Sequence, residues 1–171
     1  MATTVTKSNL YSEPWQNVYD LINSRTNVND PVATSSKFRK FVYSRDPDVK
    51  DSDFKGYPYI IVNLAEPEEL DTAKSLDRKS KHYLWTVEIE VVASDRGANN
   101  KNGKGRIHLN AISDDIIETF NSVTNLNTLN NNLLYSFKIE AGGTVTEPNA
   151  EELVYRRSFI LSFTAKLQVS S

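Results

Sequence analysis

His82-Tyr-Leu-Trp-Thr-Val-Glu-Ile-Glu-Val-Val-Ala93 decides the fold. Tyr83, Trp85, Val87, Ile89 and Val91 share one parity, and His82, Thr86, Glu88 and Glu90 share the other. Successive side chains of a strand point to opposite faces, so the run predicts a long strand with one face in the core and one in water. A second run near the C-terminus, Leu153 to about Val169, repeats the pattern. There Phe159, Leu161, Phe163, Ala165, Leu167 and Val169 oppose Ser158, Ser162, Thr164, Lys166 and Gln168. Such alternation excludes a doubly wound parallel sheet, whose strands are apolar on both faces.

Outward from these two strands the chain reads as further short elements. Tyr57 to Leu64 is apolar on both parities, as in a strand covered on both sides, with Pro58 tolerable near its start. Lys37 to Ser44, with Phe38, Phe41, Val42 and Tyr43, suits a strand of poor alternation, and Leu133 to Glu140 alternates before Ala141-Gly142-Gly143 breaks the run. A helix is expected from Ser12 as N-cap, with Pro14 in its first turn and Trp15, Val18, Tyr19 and Ile22 on one face, stopping near Arg25. Leu109, Ile112, Ile116, Phe120 and Val123 predict a second amphipathic helix, ended by the polar stretch Asn125 to Asn132. Residues 1 to 11 read as a loose arm, residues 12 to 171 as one domain, and Glu66 to Lys81 as a long polar connection. The predicted fold class is α+β: a mostly antiparallel sheet with two helices packed on one face, in the order α-β-β-β-α-β-β.

Composition narrows the function. The chain has 171 residues with 20 Lys+Arg against 22 Asp+Glu, a net charge of -2, which argues against a dedicated nucleic-acid binder. It has no Cys, hence no disulfide scaffold, thiol nucleophile or thiolate metal site, and its two His, His82 and His108, leave little for zinc. No apolar run approaches the roughly 20 residues of a spanning helix, and the N-terminus lacks the apolar stretch of a signal peptide, so a cytosolic protein is expected.

Tempting motifs lack the residues their chemistry needs. Gly97 to Gly105 lies between strand and helix, but its glycines are misspaced for a phosphate-cradling loop, and Gly105 stands where the magnesium-binding Ser or Thr belongs. A flexible loop carrying Lys101, Lys104 and Arg106 is the preferred reading. In the acidic cluster Asp46, Asp48, Asp51 and Asp53, a calcium pattern from Asp51 would put Lys55 and Val62 at ligand positions. Asp114 and Asp115 read as a wet helix face, and neither His has a Ser or Asp at a recognisable catalytic spacing. Tyr11 and Tyr155 fall outside the core stripes and are available to an interface. No enzyme, cofactor or metal site is expected.

The order of elements resembles the tail terminator (tail completion) proteins of long-tailed bacteriophages. The resemblance is carried by Trp15–Arg25, Tyr57-Pro58-Tyr59-Ile60-Ile61-Val62, Tyr83–Ala93, Leu109–Val123, and the pair Leu133–Glu140 with Leu153–Val169. It implies a structural virion protein in the tail-neck region: a ring, of six copies, that caps the head-proximal end of the tail tube, ends its polymerisation and joins the head connector. Implied partners are further copies of the chain, the tube protein and the connector, with DNA only in transit. A neck protein or a tube subunit of the same assembly, and more remotely a cytosolic ligand-binding module, remain alternatives. On this resemblance the polar sheet face, with Glu88, Glu90, Thr86, Ser162 and Thr164, would line the lumen, and Glu88 and Glu90 would repel DNA phosphates. Contacts with tube and connector are expected from the loops Pro47–Lys55, Glu66–Lys81 and Asp95–Gly105, through Asp48, Asp51, Asp53, Glu68, Glu69, Lys101, Lys104 and Arg106.

Overall fold

The computed structural model describes residues 9–33, 39–48, 50, 52–70, 80–95, 104–149 and 152–168. Its centre is the ladder between β4 (Ser80–Ser94) and β6 (Glu152–Gln168), antiparallel and in unbroken register from Ser80↔Gln168 to Ser94↔Val154. The two alternating runs thus face one another, and their apolar parities coincide: Trp85 pairs with Phe163, Val87 with Leu161 and Ile89 with Phe159, all fully buried. Trp85 stacks on Phe163 at 6.2 Å between ring centroids, and Phe137 stacks on the other side of Phe163 at 5.2 Å. Such aromatic pairs contribute about 0.5–1.5 kcal/mol beyond their buried area.

Around this pair the strand order is β1-β2-β4-β6-β5, with β1 (Val42–Tyr43), β2 (Tyr59–Val62) and β5 (Leu134–Asn149). The two-residue β3 (Glu68–Glu69) also pairs with β4, at Leu84 and Tyr83, beyond the end of β2. Only β1 and β2 run parallel; every other pairing is antiparallel. The fold is therefore α+β with a mostly antiparallel sheet, as the alternation predicts.

The helices are α1 (Glu13–Asn23), α2 (Gly105–Asn121) and α3 (Val123–Asn131). All three bury side chains in the main core against the inner sheet face: Val18 and Ile22, then Leu109, Ile112 and Ile116, then Leu129. Two aromatic tips fix α1 to the sheet edge, where Trp15 Nε1 donates to the Asn63 carbonyl at 3.1 Å and the Tyr19 hydroxyl to the Val42 carbonyl at 3.0 Å. Before β2, Arg39 forks onto buried Asp30 (2.7 and 2.9 Å) and donates to the carbonyls of Gly56 and Pro58, both at 2.6 Å. Bidentate charge-assisted bonds of this kind also fix orientation.

Several expectations are corrected. Among the described residues there are three helices rather than two, and the order is α-β-β-β-β-α-α-β-β. Asn125 to Asn132 does not end the second helix: the chain breaks at Ser122, whose ψ of 120° is extended, and Val123 then starts α3 and is 72% exposed instead of extending the buried stripe. Ala141-Gly142-Gly143 does not end β5, because Gly142 and Gly143 form a bulge opposite Ser158 and the ladder resumes at Thr144↔Arg157. A bulge adds one residue and bends the strand without ending it. The connection from Glu66 contains β3, and Leu10, read as part of a loose arm, is buried in the core. Ser12 sits at the N-cap of α1, but its side chain makes no cap bond. Within the described part of the strand expected over Lys37 to Ser44, residues 39–44, only Val42–Tyr43 is strand; Lys37, Phe38, Val169, residues 1–8, 71–79 and 96–103 (with Lys101) and Asp51 lie outside the described residues.

Candidate functional site

Among the described residues no helix covers the sheet's second face, and its polar parity divides into two zones. At the end near Ser94, a small apolar cluster of Tyr43, Tyr59, Ile61, Val92 and Val154 is covered by Phe54 and Tyr57 from the loop before β2. Beside it Arg156 reaches three carboxylates: Glu90 at 3.2 Å, Glu147 at 3.2 Å and Asp46 at 3.6 Å. The Tyr59 hydroxyl donates to Asp46 at 3.0 Å, and burial together with that carboxylate raises the phenol pKa well above its ordinary value. Burial also raises the Glu90 carboxyl, against the pull of Arg156.

The other zone holds Thr86, Glu88, Ser162, Ile160, Lys138 and Glu140. Thr86 and Glu88 are exposed on this face, and Asn63 donates to Glu88 at 3.2 Å. Ser162 is half-exposed. Two residues of that set do not fit. Glu90 is half-buried and paired with Arg156, and Thr164 is only 9% exposed, beneath the cross-strand neighbour Tyr135. Tyr135 also contacts His82, on β4, through its hydroxyl.

The loop residues separate in the same way. Asp48 accepts the Lys50 amide at 2.9 Å, closing a local turn, and Asp53 meets Lys40 at 3.7 Å. Glu69 pairs with Lys81 at 2.8 Å, while Glu68 is exposed on β3. Lys104 and Arg106 are exposed where α2 begins. Asp115 accepts the Asn29 amide at 3.0 Å, consistent with a structural role. Tyr155 is partly buried, with its hydroxyl donating to Asp95 at 2.8 Å and its ring packed against the core, whereas Tyr11 is 66% exposed.

Among the described residues no group of three or more His, Asp or Glu is placed to hold a metal ion. The cleft beside Lys40, Arg45, Asp46 and Asp48 measures about 470 Å³; it is open and lined largely by polar side chains. Small-molecule sites are ordinarily enclosed and mainly apolar. Burial and Lys104 lower the His108 pKa from its ordinary value.

The feature that sequence reading missed is the distal half of the β5–β6 hairpin. Ala141 to Pro148 are all exposed, on the strand that ends the sheet, where Arg157 links Thr144 at 2.9 Å to Asn110 of α2 at 3.0 Å. The only available signal was Thr144-Val145-Thr146, a β-favouring run after two glycines. Neither a protein-family model nor a curated protein sequence matches this chain.

Proposed function

We propose that this chain is a structural subunit of the phage tail-terminator type, which forms a ring, of six copies by that resemblance, at the head-proximal end of a tail tube. The observation that carries the reading is the extended hairpin. A strand exposed on both faces and along one edge, over Ala141 to Pro148, is a liability for a monomer and a natural contact for an assembly. The α+β architecture, with the helices on one face of a mostly antiparallel sheet and a polar face opposite, supports the same reading. In the ring that open face lines the passage, and Glu88 supplies repulsion toward DNA phosphates while Glu90 is held by Arg156. The partners are further copies, the tube protein and the head connector; no cofactor and no catalytic step are invoked. Negative-stain imaging of the protein, alone and with its tube protein, tests this. Rings or capped, shortened tubes are expected; particles that stay monomeric and leave tube length unchanged would overturn the assignment.

A further inference from the structure

Two corners of the sheet carry opposite charge. At one, the chain leaves β2 and forms β3: Glu66 and Glu68 are exposed there beside Leu64, which is 67% exposed. At the other, α2 starts against the end of β4: Lys104 and Arg106 are exposed beside Ile107, which is 65% exposed, and Leu153 of the hairpin is 43% exposed. The second corner is one continuous surface. Asp95 accepts the Gly105 amide at 3.0 Å and the Tyr155 hydroxyl at 2.8 Å, and Arg157 reaches Asn110 of α2 at 3.0 Å.

The corners are diagonally opposed. β3 meets β4 at Leu84 on the side away from β6, and α2 begins just past Ser94. Because Asn63 meets β4 at Glu88 and Glu68 meets it at Leu84, six to ten residues of strand separate the corners, about 20–33 Å at ~3.3 Å per residue. A single copy therefore cannot bring them together. A two-fold contact centred on either corner would set like charge on like, which costs affinity. A reciprocal dimer pairs unlike corners twice but stops at two copies, so a ring requires the head-to-tail form, which sets acidic against basic at every joint. Each corner also joins exposed apolar side chains to charge, the make-up of an interface with an apolar centre and a polar rim.

We infer that a second copy of this chain docks head to tail, with Glu66, Glu68 and Leu64 of one copy seated on Lys104, Arg106 and Ile107 of the next. This rests on the ring reading above and supplies its subunit contact. A heterologous contact of this kind repeats from copy to copy and closes wherever the rotation permits.

The test is a charge exchange in the full chain, read as the assembled fraction by sedimentation, with circular dichroism confirming the fold. Glu66→Lys/Glu68→Lys makes both corners basic, and Lys104→Glu/Arg106→Glu makes both acidic. Each variant alone should assemble at least tenfold less than the parent. Mixed together they should recover most of it, because basic and acidic copies then alternate. Variants that assemble like the parent, or a mixture no better than its components, would overturn this contact while a ring-forming parent kept the ring reading intact. A parent that assembles neither alone nor on tubes would overturn both.

Discussion

Glu90 is held between a favourable charge and an unfavourable medium. Arg156 lies 3.2 Å away and stabilises the carboxylate, but burial penalises it more, and Asp46 and Glu88 add like charge. The folded-state pKa is therefore raised, so this group's contribution to stability is fully present below the ordinary carboxylate value and is lost as pH rises through the folded value. A carboxyl-carbon NMR titration should place the Glu90 midpoint above 4.5, and Glu90→Gln should flatten the pH dependence of the urea midpoint just above that value. A midpoint at or below 4.5 would mean that Arg156 outweighs burial. Strand parity correctly put Glu90 on the helix-free face. It was silent on Arg156, 66 residues further along the chain, because parity assigns a face and not a partner.

At the scale of elements, the joint between β4 and α2 depends on a missing side chain. A Cβ on Gly105 would stand 2.6 Å from the Ser94 carbonyl carbon and 2.8 Å from the Asp95 nitrogen, both backbone atoms that cannot swing aside. Gly105→Ala should therefore push α2 away and cost about 1–3 kcal/mol, the range for overpacking a tight site. Gly143→Ala, with nothing within 4 Å, should be neutral or slightly stabilising. Urea denaturation of the two variants separates these outcomes, and equal stability would show that the joint relaxes freely. Legibility followed burial. β4, β6, α1 and the buried stripe of α2 were readable because each has one face in the core, which imposes a period on its sequence. β3 was not readable, since two exposed glutamates carry no apolar signal and owe their strand geometry to pairing with Tyr83 and Leu84. α3 was hidden by its asparagines, with Leu129 as its buried residue. The continuation of β5 was hidden by two glycines that read as a break and form a bulge.

At the scale of the molecule, the edges matter more than the interior. The sheet ends on one side in β5 and on the other in the short β1, whose two residues are buried, and β3, whose two glutamates are exposed. β5 carries devices that discourage open-ended strand addition: two bulges, a lysine at Lys138 and a proline at Pro148 that has no amide hydrogen to donate. These discourage a continuous open-ended ladder along β5 but leave its exposed distal half, Ala141 to Pro148, as a contact surface, to which the charged corners add a second place where copies meet. A head-to-tail contact gives a closed ring if its rotation divides a full turn and a growing filament if it does not. The two cases differ in how mass responds to concentration. In a closed ring, raising the protein concentration increases the amount of one heavy species and leaves its mass fixed. In a filament the mean mass climbs with concentration. Sedimentation velocity over a hundredfold concentration range should therefore show monomer and a single discrete oligomer. Added salt should shift that balance toward monomer, because exposed charges more than ~10 Å apart are screened at about 0.1 M. A mass distribution that broadens and climbs with concentration would show that the contact does not close, and a protein that polymerises in this way could not end a tube.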